Sequence, residues 1–217
     1  MSNKTTLTIS ICLIVFATLV GLLLWNQLPE QVASHWGAND QVNGTMPRLW
    51  GVILMPIITI FMLALFLVIP SIDPLKANIE QFRAYFNSFI VLIIAFMLYV
   101  HILTLVWNIG YTSFRMSAAM LPAMGLLFIF MGQMITKAKR NYFIGIRTPW
   151  TLSSDTVWDK THQLGGKLFI AAGALSLLGA FFPDAAIFFI LIPLMLVSLF
   201  TVLYSYFLYL AEQKNIQ

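Results

Sequence analysis

Two polar segments of this sequence carry most of the side chains that could do chemistry. The first, residues 29–47, contains Glu30, His35 and Asp40, which could bind a metal or exchange protons if they converged. Their spacing matches no metalloprotease helix, and the sequence has no glycine-rich phosphate loop or nucleophile elbow. We therefore expect no catalytic residue, no metal, no cofactor and no enzymatic activity. Stoichiometric zinc in the purified protein would contradict this expectation.

The second segment, residues 137–166, is long and rich in Trp, Arg, His and Gly, which is unusual for an idle spacer. Gly145 permits an unusual backbone angle and the Thr148-Pro149 pair disfavours a helix, so we expect an ordered turn or hairpin first. Ser154 can then cap a helix that carries Trp158. The pattern predicts a turn followed by a short helix, ordered for a function or for binding a partner.

The elements that must position these two segments are apolar. Of the 217 residues, 60% are hydrophobic and 9% are charged, whereas an ordinary soluble domain has about 25% charged residues. A stretch of roughly 20 apolar residues can cross a hydrocarbon core of about 30 Å. Apolar stretches occur at about residues 6–28, 49–70, 87–109, 116–136, 167–182 and 186–210.

These stretches predict an all-α membrane protein, a bundle of six transmembrane helices with a short interfacial helix within residues 137–166. The fifth stretch is the shortest and the richest in glycine. Small residues allow helices in a membrane to approach closely, so we expect this stretch to pack tightly against its neighbours. Its glycines and those just before it are Gly165, Gly166, Gly173 and Gly179.

The basic residues predict which side of the membrane each segment faces. If both termini are cytosolic, ten of the 12 Lys and Arg residues lie inside, and only Arg48 and Arg115 lie outside. Because basic residues concentrate in cytosolic segments, we expect residues 137–166, the inner loop, in the cytosol, and residues 29–47, the outer loop, outside. The protein is then expected in the bacterial inner membrane. The formal charge of +4 follows this topology, so we expect no direct nucleic-acid binding.

Three polar side chains, His101, Asn108 and Gln133, fall within the predicted spans or near their ends. Hydrogen bonds to neighbouring helices explain such groups. They can also line a substrate path, so a small transporter or channel that uses His101 is an alternative function. A path needs polar side chains repeated along several helices, and this sequence has few, which favours a function other than transport.

The run from Asn141 to Lys167 resembles the signature of the SdpI family of bacterial integral-membrane immunity proteins. The matching residues that we take as site residues are Asn141, Gly145, Arg147, Thr148, Pro149, Trp150, Trp158, Lys160, His162, Gly165 and Gly166. The outer loop is similar, more weakly, to a membrane module often found N-terminal to that signature. The residues that carry this second match are Pro29, His35, Trp36, Asn43 and Gly44.

The order of the two motifs divides the chain into two parts. Residues 1–136 form a four-span module with the outer loop, and residues 137–217 contain the inner loop and two further spans. In the outer loop, Asn43 stands where aspartate is common in the module, and Asn43-Gly44 still suits a tight turn.

Family members that resemble this chain protect a bacterium from a secreted killing peptide, the sporulation-delaying toxin, and some hold a transcriptional repressor at the membrane. The resemblance therefore implies a membrane immunity protein whose partners are the lipid bilayer, a peptide toxin and a cytosolic repressor. In this hypothesis His35 and Trp36 face the incoming peptide. The residues expected to organise the inner loop are Arg147, Trp150, Trp158 and His162.

Overall fold

The computed structural model describes residues 1–215, and most of them are helical. The helices are α1 (Asn3–Leu23), α2 (Arg48–Ile72), α3 (Lys76–Glu80), α4 (Arg83–Asn108), α5 (Met116–Ile135), α6 (Pro149–Ser153), α7 (Asp155–Gly179) and α8 (Phe188–Lys214). Five of them, α1, α2, α4, α5 and α8, are long and apolar enough to cross a membrane. The chain is therefore a mostly helical, multi-pass membrane protein.

Helix α7 has 25 residues, but its first turns carry Asp155, Asp159 and Lys160, which lower its mean hydropathy. It runs without a break into the fifth apolar stretch. The structure has a helix after Ser154, as expected, but its residues are the first part of α7 and not a separate element. The short helix that does stand alone within residues 137–166 is α6, whose five residues are capped by the Thr148 side chain.

The long helices pack in two groups of three. Helices α1, α2 and α4 contact one another, α7 contacts both α5 and α8, and α4 contacts α5 where the groups meet. Large apolar side chains remain exposed on the outer surfaces, for example Phe16 on α1 and Met195 on α8. Such surfaces are expected where lipid, and not water, surrounds the protein.

Helices α5 and α7 form the most extensive contact, and glycines make it close. A Cβ atom on Gly132 would lie 2.5 Å from the carbonyl oxygen of Gly166, and one on Gly173 would lie 2.6 Å from that of Gly125. On each helix the two glycines are two turns apart, so both contacts lie on the same face. The prediction that the glycine-rich stretch packs tightly is confirmed.

The outer loop is not helical, so the all-α expectation is wrong for this segment. Strands β1 (Gln31–Trp36) and β2 (Val42–Pro47) pair as an antiparallel hairpin. Its turn lies at residues 37–41, where Asp40 has a φ of 59° and Gly37 exchanges backbone hydrogen bonds with Asp40 and Gln41. The tight turn expected at Asn43-Gly44 is therefore displaced. Gly44 lies in β2 opposite His35, and a Cβ there would be 3.0 Å from the His35 Cβ.

Candidate functional site

The inner loop is organised around the side chain of Asn141, which is fully buried. Its amide nitrogen donates to the carbonyl oxygens of Lys139 and Ile144 at 2.8 and 2.9 Å. Its amide oxygen accepts from the backbone N–H groups of Phe143 and Ile144 at 2.9 and 2.6 Å. One side chain thus satisfies four backbone groups of a tight, non-helical turn, which fixes residues 139–144 in one conformation.

Trp158 and His162 stack beneath this turn, with their ring centroids 3.9 Å apart. The Trp158 indole nitrogen donates to the carbonyl oxygen of Ala138 at 2.8 Å. Gly145 has a φ of +117°, and a Cβ there would lie 2.4 Å from the His162 Nε2 atom. Only glycine combines this backbone angle with this close approach, which explains its place in the motif.

Both ring nitrogens of His162 are engaged. Nε2 accepts from the backbone N–H of Ile146 at 2.9 Å, so Nδ1 carries the proton and donates to the carbonyl oxygen of Trp158 at 2.8 Å. Burial lowers the pKa of His162 from 6.5 to about 4, although the Trp158 carbonyl and Asp159 oppose the shift. His162 is therefore a neutral structural residue of the loop.

The loop also contacts α8. The Thr148 hydroxyl lies 3.0 Å from that of Ser205, and the ring of Trp150 lies 5.0 Å from that of Tyr206. Gly165 lies where a Cβ would come within 2.5 Å of the Ile146 side chain. The inner loop is therefore packed against the helix bundle.

Three residues of the motif remain accessible. Arg147 is exposed, and its guanidinium donates one hydrogen bond, to the carbonyl oxygen of Tyr142 at 2.8 Å. Lys160 is exposed on α7, and Pro149 is exposed at the start of α6. The motif thus separates into buried residues that build the loop and a few exposed residues that a partner can reach.

Sequence reasoning missed the anchor on the other helix group. Asp73, at the end of α2, is 2% exposed, and its carboxylate accepts from the backbone N–H groups of Tyr142 and Leu75 at 2.9 and 2.6 Å. The Asn78 amide donates to the carbonyl oxygen of Arg140 at 2.8 Å. These bonds tie the inner loop to the segment before α4. The nearest signal in the sequence is an acidic residue placed directly before a proline at the end of an apolar span.

The outer hairpin is held by Asn108 at the end of α4. The Asn108 side-chain oxygen accepts from the Ala33 N–H at 2.7 Å, and its nitrogen donates to the Ala33 carbonyl oxygen at 2.9 Å. The side chain thus pairs with β1 as a neighbouring strand would. Trp36 packs edge-to-face on Trp107, with ring centroids 5.4 Å apart. Pro29, at the start of the loop, accepts from the Arg48 side chain at 3.2 Å.

The three candidate catalytic groups of the outer loop have separate surroundings. His35 is hydrogen-bonded to the Asn43 side chain. Asp40 accepts from the backbone N–H of Ser117 at 2.8 Å and from its hydroxyl, in the first turn of α5. Glu30 is exposed. Within residues 1–215, no group of three or more His, Cys, Asp or Glu side chains is placed to hold a metal.

The three polar residues of the spans also lie apart from one another. Asn108 is used by the hairpin, and Gln133 is exposed on α5. His101 is buried beside a cavity of about 60 Å³ under the hairpin, and its Nε2 atom has no partner among the described residues. The structure therefore does not bring the three side chains together.

Replacing Asn108 with leucine should destabilise the hairpin and not affect the inner loop. The change removes both hydrogen bonds to Ala33, so the backbone N–H and carbonyl oxygen of Ala33 lose their partner. Leaving such buried groups unpaired costs roughly 1–3 kcal/mol of folding free energy. We expect a lower thermal midpoint and faster proteolysis within residues 29–47. Gln133→Leu is the matched control, because this amide is exposed and makes no side-chain hydrogen bond to the described residues. Equal behaviour of the two variants would contradict the anchoring role of Asn108.

Comparison with known proteins supports the resemblance drawn from the motifs. Residues 137–205 match the SdpI/YfhL protein family, and residues 12–60 match a domain of unknown function, DUF1648. The chain is 29% identical over 191 residues to the immunity protein SdpI of Bacillus subtilis (strain 168), covering 88% of this chain and 89% of that protein. No solved structure matches the chain. The resemblance indicated by the inner-loop motif is thus confirmed, and the chain is a multi-pass membrane protein related to the SdpI/YfhL family.

Proposed function

We propose that this protein is a membrane immunity protein that protects the cell from a secreted, membrane-active peptide toxin. The observation that carries the proposal is the inner loop: the residues that match the family motif form one buried, hydrogen-bonded unit around Asn141, Trp158 and His162. The similarity to an immunity protein along most of both chains supports the same function. In this proposal the protein is not an enzyme, needs no cofactor and does not bind nucleic acid directly.

The proposed topology has six spans. The C-terminal part of α7, from about Lys167, serves as the fifth span beside the five longer apolar helices, and it packs on α5 as a membrane helix would. The distribution of Lys and Arg then places both termini and the inner loop in the cytosol, and the hairpin outside the bacterial inner membrane. Under this topology His162 lies on the cytosolic side of the span.

We further propose that the inner loop displays a surface to a cytosolic repressor. Support comes from Tyr142 and Phe143, which are 48% and 36% exposed although the neighbouring Asn141 is fully buried. Arg147 adds an exposed cation beside them. A rigid loop that presents aromatic and cationic groups can bind a protein with little ordering cost.

The first test is survival of a toxin-sensitive strain challenged with the sporulation-delaying peptide. We expect cells that express the native chain to survive and cells that express Arg147→Ala to lose most of the protection. The Arg147 side chain makes one hydrogen bond at the surface, so its loss should leave the loop folded. Lys137→Ala is the matched control, because it removes an exposed positive charge from the same loop.

Membrane levels of all three proteins must be matched before survival is compared. Equal survival of the Arg147 and Lys137 variants would remove Arg147 from the mechanism. Failure of the native chain to protect would contradict immunity toward this peptide.

A further inference from the structure

We propose that the outer end of the molecule carries the docking site for the peptide, in a cleft of about 860 Å³. This inference rests on the proposed function and names the site where it acts. The cleft, called the outer cleft below, lies between the hairpin turn at residues 38–42, Trp107 at the end of α4, the connection that contains Thr112, Phe114 and Arg115, and Asp184 before α8.

The outer cleft is where the two helix groups meet on the outside. The hairpin and α4 belong to the first group, whereas α5 and the α7–α8 connection belong to the second. A ligand in the cleft can therefore contact the hairpin turn, the end of α4, the α4–α5 connection and the α7–α8 connection at once. Its volume falls within the roughly 300–1,000 Å³ of ordinary ligand sites, large enough for several side chains of a peptide.

The walls of the cleft are already ordered. Asp40 fixes the hairpin turn to the start of α5 through its two bonds to Ser117. Trp107 is held by its edge-to-face contact with Trp36, and Asn108 binds β1 one residue further along α4. Because these walls need no rearrangement, docking a ligand carries a small ordering cost.

The lining matches a peptide better than a small ion. Trp107 and Phe114 offer aromatic surface, while Asn39, Gln41 and Thr112 offer hydrogen-bond donors and acceptors suited to backbone amides. Charges of both signs are present, so the site does not select a simple anion or cation.

The ion pair between Arg115 and Asp184 crosses the cleft wall at the surface. The two side chains are 50% and 91% exposed, and exposed ion pairs contribute little to stability. Either partner can therefore exchange its contact for a charged group or a terminus of the ligand. His35, which the sequence suggested as a peptide contact, lies outside this lining and is paired with Asn43.

The test measures binding of a fluorescein-labelled sporulation-delaying peptide to the full chain in lipid nanodiscs, with empty nanodiscs correcting for partition into lipid. Thr112→Trp should place an indole ring in the cleft, obstruct docking and weaken binding by about tenfold or more. Ser113→Trp is the matched control, because it adds the same ring at the next exposed position, which does not line the cleft. Thr112→Ser should bind as the native chain does.

A second blocking variant, Gln41→Trp on the opposite wall, tests the same cleft independently in case Thr112→Trp does not fold. Weaker binding by both blocking variants, together with native binding by Ser113→Trp, supports the outer cleft. If all variants bind as the native chain does, the outer cleft is not the docking site. The proposed function still stands in that case if the native chain protects cells. A native chain that neither binds above empty nanodiscs nor protects cells removes the proposed function, and the outer cleft with it.

Discussion

Gly173→Val is expected to prevent most of the protein from reaching its folded state. A Cβ at this position would lie 2.6 Å from the carbonyl oxygen of Gly125 and 2.8 Å from the backbone nitrogen of Ile129. Backbone atoms cannot move aside as the end of a side chain can, so α5 and α7 must separate. We expect the cost to reach or exceed the upper end of the roughly 1–3 kcal/mol seen for overpacked cores.

The measurement is the fraction of monodisperse protein after detergent extraction, together with its thermal midpoint. Ala174→Val is the control: it adds two methyl groups at the next position, which is exposed, and it should behave as the native chain does. Similar yields and midpoints for the two variants would mean that α5 and α7 do not depend on their glycine contacts.

The close contact between the glycine-rich stretch and its neighbours could be predicted, because it depends on which residue types the stretch contains. Lipid requires each span to satisfy its own backbone, so apolar stretches of sufficient length predict helices, and glycines within them predict close contacts. Which glycines meet could not be predicted from one sequence. The pairing of Gly125 with Gly173, and of Gly132 with Gly166, follows from the antiparallel arrangement of α5 and α7.

The outer loop shows why a local sequence pattern can misplace a turn whose position depends on tertiary contacts. Asn-Gly is the strongest short signal for a hairpin turn, yet Asn43-Gly44 lies within β2, and the turn is closed around Asp40. Asp40 is a residue type that adopts the left-handed backbone more readily than most, and its carboxylate holds the turn in place by accepting from Ser117, which is 77 positions away. Only the folded chain brings these two residues together.

In the inner loop, too, features that depend on neighbouring residues could be predicted, and features that depend on distant residues could not. Gly145 was expected to permit an unusual backbone angle, and it has one. The role of Asp73 was not predicted, because its partner Tyr142 is 69 positions away. An acidic residue three positions before a lysine in a connecting segment is typical of a solvated linker. The start of the fifth span was placed near residue 167 because the preceding residues are polar. A helix can leave the membrane without a break, and α7 does so in the proposed topology.

Acidification is expected to destabilise the protein through His162. Burial lowers the pKa of this side chain from 6.5 to about 4 in the folded state, whereas the unfolded chain titrates near 6.5. Folding therefore favours the neutral ring. The stabilisation is complete above pH 6.5 and decreases as the pH falls toward 4, because the unfolded state binds a proton that the folded state excludes.

A change of one pKa unit corresponds to about 1.4 kcal/mol, so the full loss amounts to roughly 3 kcal/mol. The physical cause is specific. A proton on Nε2 would replace the lone pair that accepts from the Ile146 N–H, and it would place a charge on a buried ring. The inner loop should open first, since Ile146 belongs to it.

The thermal midpoint of the purified protein, measured between about pH 7.5 and pH 4.5, checks this expectation. His162→Gln keeps a hydrogen-bonding side chain without a titrating group in this range, so its midpoint should depend less on pH than that of the native chain. His35→Gln removes an exposed histidine from the outer hairpin and should retain the native dependence. An unchanged slope in His162→Gln would place the pH sensitivity elsewhere, and His162 would then act through packing alone.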